Sequence, residues 1–213
     1  MLERYFTVKP EGTAEQIIQK SRFLSYVKRT ETEEEAQQFI QSIKKKHADA
    51  THNCSAYIIG EHDQIQKAND DGEPSGTAGV PILEVLKKRE LKDTTVVVTR
   101  YFGGIKLGAG GLIRAYASSS TLGINSTGVV ERRLMQEYIV TVEYPLLGKI
   151  ENEIQKTNYL LDHIEYTDKV TLHIFVNSDE IDSFTDWMNN LSHASAALSK
   201  GTVTYKEIDV PNP

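Results

Sequence analysis

The chain of 213 residues has a single cysteine, Cys54, so an intrachain disulfide framework and a cysteine-rich zinc site are both excluded. No stretch approaches the 18 apolar residues of a membrane-spanning helix. The opening Met1-Leu2-Glu3-Arg4-Tyr5 lacks the apolar centre of a secretory signal. Neither Gly-x-x-x-x-Gly-Lys-[Ser/Thr] nor Gly-x-Gly-x-x-Gly occurs, which disfavours nucleotide binding by a P-loop or Rossmann route. Internal repeats and low-complexity segments are also missing. These absences lead to the expectation of a soluble, cytoplasmic chain whose length suits two domains.

Positive charge is scarce in one part of the sequence only. Residues 1–135 carry 19 Lys and Arg against 17 Asp and Glu, whereas residues 136–213 carry 5 against 13, within a total of −6. A weakly positive first part can dock locally on nucleic acid; the acidic remainder is repelled by phosphate and better suited to a protein partner or to solubility.

Glycine, by contrast, is concentrated. Val96–Tyr101 is an apolar, β-branched run, followed by Phe102-Gly103-Gly104-Ile105-Lys106-Leu107-Gly108-Ala109-Gly110-Gly111 and then by helix-like sequence through Arg114 and Tyr116. A strand, a glycine loop with bare N–H groups and a helix N-terminus form an anion site by geometry, and Arg100, Lys106 and Arg114 strengthen it. Tyr101, Phe102 and Tyr116 add stacking faces of the kind that hold RNA bases, the alternative placing Phe102 or Tyr116 in the core. The alternative is a tight strand-to-helix connection whose glycines only permit close packing.

A second unusual segment is Asn69-Asp70-Asp71-Gly72-Glu73-Pro74-Ser75-Gly76-Thr77-Ala78-Gly79, made rigid at Pro74 and leading into a helix over 81–88. It is expected to lie beside the glycine loop, with Asp71 and Glu73 orienting Arg100 or Lys106 and with Gly76 and Gly79 allowing close backbone approach. A rival reading makes Asp70, Asp71 and Glu73 ligands of Mg²⁺ in a phosphoryl or peptide hydrolase. His52 and Cys54 form another conceivable pair, but no orienting Asn or Asp accompanies them.

Around these motifs the pattern reads as follows. Strands are expected over 4–8 and 16–29 with a turn at Lys9-Pro10-Glu11-Gly12. Thr32 and Glu35 make a capping box for a helix burying Ala36, Phe39, Ile40 and Ile43 and ending at Lys44-Lys45-Lys46. Residues 54–59 and 64–68 form a hairpin. A helix over 112–122 ends near Ser118-Ser119-Ser120 and Gly123, and residues 123–136 join the two parts. From Glu137 the order is β-α-β-β-α-β, the ferredoxin-like order, with Ile181, Phe184, Trp187, Met188 and Leu191 supplying core.

The segments Asp70–Leu83 and Thr99–Tyr116 resemble those of the IMPACT/YigZ family, with no departure within either motif. The resemblance implies an α+β protein. Its N-terminal domain, residues 1–130, would be an α/β sandwich like a ribosomal-protein second domain, a fold shared with elongation factor G and the protein part of ribonuclease P. Its C-terminal domain, residues 137–213, would be smaller, ferredoxin-like, and similar to the last domain of elongation factor G. Both likenesses point to RNA or the ribosome, and eukaryotic members regulate translation.

The expectation is therefore a non-enzymatic binding protein without a cofactor, with RNA or the ribosome as partner. Its binding residues would be Arg100, Tyr101, Phe102, Gly103, Gly104, Lys106, Gly108, Gly110, Gly111 and Arg114. The supporting loop is Asp71, Gly72, Glu73, Pro74, Gly76, Thr77 and Gly79. A metal-dependent hydrolase and a protein–protein adaptor acting through the acidic domain remain the alternatives.

Overall fold

The computed structural model describes residues 1–210, an α+β fold with five α-helices and two antiparallel five-stranded sheets. It divides into two compact units. One is Tyr5–Arg132 with residues 208–210; the other is Arg133–Glu207 with Met1–Arg4. No helix among the described residues is long and apolar enough to cross a membrane.

In the first unit a short strand β1 (Arg4–Val8) precedes a sheet of β2 (Glu11–Ile18), β3 (Ser21–Arg29), β4 (His52–Ile59), β5 (Ile65–Asn69) and β6 (Thr94–Tyr101), in the spatial order β2-β3-β6-β4-β5. Central β6 is buried along nearly its whole length because helices cover both faces, which is why it reads as an unbroken apolar and β-branched run. On one face α2 (Gly79–Lys88) and α3 (Gly108–Thr127) bury Ile82, Leu86, Leu112 and Tyr116 against Phe23, Cys54, Val96 and Val98. On the other, α1 (Glu33–Lys46) packs Ala36, Phe39, Ile40 and Ile43 on Tyr26, Tyr57 and Val97. The Thr32 side chain accepts from Glu35 N at 3.2 Å, and the Glu35 carboxylate reaches back to Glu31 N at 2.8 Å.

Three expectations are corrected here. Glu11 and Gly12 belong to β2, and the 16–29 stretch is two strands separated by Gln19 and Lys20, both at positive φ. A tight hairpin turn of this kind normally announces itself by Asn-Gly or Gly, so Gln-Lys hides it. Helix α3 begins at Gly108 and continues to Thr127, past the serines and Gly123. Ser118 and Ser120 turn their hydroxyls onto the carbonyls of Ala115 and Tyr116, at 3.1 and 2.8 Å, and so do not interrupt the helix. The supposed join at 123–136 is the end of α3 followed by β7 (Val129–Val142).

After β7 come α4 (Tyr144–Ile154), β8 (Leu160–Tyr166), β9 (Val170–Asn177), a single 3-10 turn at Ser178–Glu180, α5 (Ile181–Ser192) and β10 (Ala197–Val210). The order is βαββαβ; β7 has β9 beside it with β8 beyond, and it also pairs with β10 and with β1, the fifth strand of this sheet. Tyr138, Val140, Leu172 and Ile174 pack beneath Ile150, Phe184 and Met188. Trp187 adds its ring to that core, edge-on to Tyr159.

Candidate binding cleft

The two glycine-bearing loops meet around one cleft of about 400 Å³ in the first unit. Strand β6 delivers Arg100 at its end. Its register partners are Phe23 on β3 and His52 on β4. The β5–α2 loop supplies Glu73 and Pro74, and the segment after β6 supplies Phe102, Lys106, Leu107 and Gly108.

The floor is a buried ion pair. The Arg100 side chain is 6% exposed and that of Glu73 is 3% exposed, and Nη1 donates to Glu73 Oε1 at 2.6 Å. The same carboxylate oxygen accepts from the Tyr116 hydroxyl at 2.8 Å, and Oε2 lies 3.8 Å from His52 Nε2. The Arg100 guanidinium sits 5.5 Å from the ring centres of both Phe23 and Phe102, and its buried Nε has no hydrogen-bond partner among the described residues. Burial and the neighbouring Cys54 and Glu73 push the Tyr116 phenol far above its ordinary range, so it stays a donor. Arg100, expected as a phosphate contact, is buried in the cleft floor, where its pairing with Glu73 fastens the two loops together.

Asp70 and Asp71 are committed elsewhere. The Asp70 carboxylate accepts from the N–H groups of Gly76, Ala78 and Gly79 at 2.8, 3.0 and 2.8 Å, tying the loop to the start of α2. Burial works to raise its pKa, but these three bonds outweigh that and bring it below the usual carboxylate range. Asp71 takes Lys44 Nζ at 2.6 Å and Asn53 N at 2.6 Å, so it orients neither Arg100 nor Lys106. Lys44, read from the sequence as complementing the end of α1, is thus a tie to the loop. With Asp70, Asp71 and Glu73 each facing a different partner, the carboxylates do not converge as ligands of one Mg²⁺. His52 donates Nδ1–H to the Asp71 carbonyl at 2.8 Å and Cys54 donates to the Asp70 carbonyl at 3.0 Å, so they do not form a thiol–imidazole pair. Burial raises the Cys54 thiol well above its ordinary value.

The remaining expected residues form the rim. Gly103 is pressed against the turn before β3: a Cβ there would lie 2.0 Å from the Lys20 carbonyl. Gly108 opens α3 at φ +68°, in the left-handed region that glycine occupies at little cost. Gly104 precedes it on the exposed connection, and Gly110 and Gly111 form the first turn of the helix. Lys106, Arg114 and Phe102 are exposed. No side chain caps α3 and no acid stands in its first turn, so its unsatisfied N–H groups and dipole are open to an anion. Tyr101 instead bonds His47 and Asp49 through its hydroxyl at 2.9 and 3.1 Å. Gly72 and Gly76 occupy the β5–α2 turn, Thr77 bonds the Pro74 carbonyl at 2.7 Å, and a Cβ on Gly79 would strike Asn69 N at 2.5 Å. Sequence reasoning missed Thr51, which accepts from Phe102 N at 3.0 Å, and Ser21, which accepts from Gly103 N at 3.2 Å. Both are small hydroxyls distant in sequence, and no local pattern marks them.

Known proteins match both parts of the chain. The family described as Impact N-terminal domain matches residues 19–124, which include both loops, and a domain of unknown function, DUF1949, matches residues 140–195. The chain is 58% identical over 207 residues, 97% of its length and 95% of the relative's, to IMPACT family member YvyE of Bacillus subtilis. It is 33% identical over 183 residues, 85% of its length and 90% of the relative's, to IMPACT family member YigZ of Escherichia coli. A solved structure titled "Crystal structure of an hypothetical protein" is 30% identical to it, with a TM-score of 0.60 over 93% of this chain and 97% of that one.

Proposed function

The chain belongs to the IMPACT family, in its bacterial two-domain form, and on that footing we propose that it is a cytoplasmic RNA- or ribosome-associated binding protein with a role in regulating translation. The observation that carries this reading is the cleft. Both distinctive loops converge there, and its rim combines an uncapped helix N-terminus, exposed Lys106 and the exposed ring of Phe102. A phosphate suits the helix N-terminus and Lys106. A base suits the face of Phe102, since stacking on an aromatic ring serves unpaired nucleotides. We read the first unit as the ribosomal-protein second-domain fold and the βαββαβ unit as ferredoxin-like, both architectures that occur in proteins acting on RNA; fold alone carries no function, so the weight stays on the cleft.

The test is binding of a fluorescein-labelled single-stranded oligoribonucleotide and of purified ribosomes across a salt series. Affinity should fall as salt rises, Lys106→Ala and Arg114→Ala should each flatten that dependence by about one phosphate contact, and Phe102→Ala should weaken binding at every salt. Lack of binding at low salt, or binding unaltered in all three variants, refutes the proposal.

A further inference from the structure

A second cluster lies on the acidic βαββαβ unit, away from the loops in sequence. His163 of β8 and His173 of β9 are cross-strand partners beside a β-bulge between Leu161 and His163. Their rings stack at 3.9 Å with planes 15° apart. Each ring has its Nδ1 fastened to a carboxylate: His163 to Asp162 at 2.9 Å and His173 to Glu137 at 2.7 Å. Both Nε2 atoms are left facing the same carboxylate oxygen of Glu165, at 3.8 Å from His163 and 3.7 Å from His173. His173 Nε2 is buried and has no hydrogen-bond partner among the described residues.

We propose that His163, His173 and Glu165 form a site for a divalent transition-metal ion, Zn²⁺ in the first instance, with an open position for water. The three ligand atoms lie within 4.8 Å of one another. Tetrahedral zinc with bonds of about 2.0–2.2 Å sets its ligand atoms roughly 3.3 Å apart. Each Nε2–Oε1 distance must shorten by about half an ångström and the stacked rings must tilt until their Nε2 lone pairs converge, movements that fall on His163 and Glu165, 51% and 58% exposed.

The surroundings suit a cation for independent reasons. A carboxylate on the far nitrogen of each histidine is the arrangement that fixes the tautomer of a metal-bound imidazole and raises its basicity. Asp162, Glu137 and Glu165 are opposed by Lys206, which pairs with Asp162, leaving an excess of negative charge for a dication. Two imidazoles and one carboxylate favour zinc and its neighbours over Mg²⁺ and Ca²⁺, which prefer all-oxygen shells. In this arrangement Glu137 is a positioning residue for His173, and it is itself held by Thr202 N and Oγ1 at 2.9 and 2.8 Å.

The test uses the untagged full-length chain, stripped of metal by a chelator. Zn²⁺ is followed by calorimetry, and Co²⁺ by its visible absorption. One equivalent should bind, and the Co²⁺ bands should show the intensity of a site with few ligands. His163→Ala and Glu165→Gln, both on exposed side chains, should each lower Zn²⁺ affinity at least tenfold without altering the circular dichroism or melting temperature of the metal-free protein. Glu137→Gln should weaken binding by roughly 10–100-fold, the range expected for loss of an outer partner. Zn²⁺ binding of the same affinity and stoichiometry in His163→Ala and Glu165→Gln, or no saturable binding below 100 µM in the parent chain, overturns the proposal.

Discussion

Replacing Arg100 with methionine keeps most of the side-chain volume and removes the charge that holds Glu73. The carboxylate, 3% exposed, would retain the Tyr116 hydroxyl but lose its ion-pair partner at 2.6 Å. Leaving one member of a buried pair uncompensated costs about 3–5 kcal/mol, a large share of the roughly 5–15 kcal/mol that stabilises a typical domain. Glu73→Gln strands the Arg100 charge instead and should cost a comparable amount. The double variant leaves no buried charge, so its loss should fall short of the sum of the single losses by about 2 kcal/mol or more. Urea unfolding followed by far-ultraviolet circular dichroism supplies the four free energies, and hydrogen exchange across residues 108–127 locates the change. Trp187 belongs to the other core, and its fluorescence is an internal control. Additivity within about 0.5 kcal/mol, or an Arg100→Met loss below about 1 kcal/mol, would refute the argument that the pair clamps the two loops.

Other expectations follow from individual contacts. Gly103→Ala, whose Cβ would lie 2.0 Å from the Lys20 carbonyl, should destabilise by about 2 kcal/mol or more, whereas Gly110→Ala, whose nearest neighbour would be a movable arginine tip at 3.7 Å, should be neutral or gain up to about 1 kcal/mol of helix propensity; thermal melts of the two variants separate them. Asp70 has a folded pKa below its unfolded value near 4, so its stabilisation is present above that value and lost as pH falls through the folded pKa. Asp70→Asn should therefore cost about 1–3 kcal/mol at neutral pH and flatten the stability profile below about pH 5; an unchanged acid slope in urea titrations would count against it. Cys54, buried with a raised pKa, should resist iodoacetamide in the native chain and react once urea unfolds it; native labelling at the rate of a free thiol would contradict its placement.

Several elements are legible in the sequence because their signals are local. The Thr32–Glu35 capping box and the helical spacing of Ala36, Phe39, Ile40 and Ile43 depend on neighbours within a few residues. The start and end of α3 were not legible, since glycine and serine are poor helix formers by propensity and this helix is set by packing. At Gly123 a Cβ would lie 2.2 Å from Ser25 Oγ, so the residue that resembles a helix terminator is the one that lets α3 approach β3.

The same division runs through the candidate sites. Composition and motif spacing were enough to single out the Asp70–Gly79 and Phe102–Gly111 segments and to place the acidic excess after residue 135, because residue type and order are written directly in the chain. Which charges meet is a different kind of information. Arg100 and Glu73 are 27 residues apart, and Glu73 and Tyr116 are 43 apart. The His163–His173 pair exists through the register of β8 on β9, with Glu137 contributed by β7. A cation in a sequence has a charge but no partner and no depth, and both are set by long-range pairing of strands and burial under helices. That is why Arg100 reads as a ligand contact along the chain and becomes an internal clamp once β6, α3 and the β5–α2 loop enclose it.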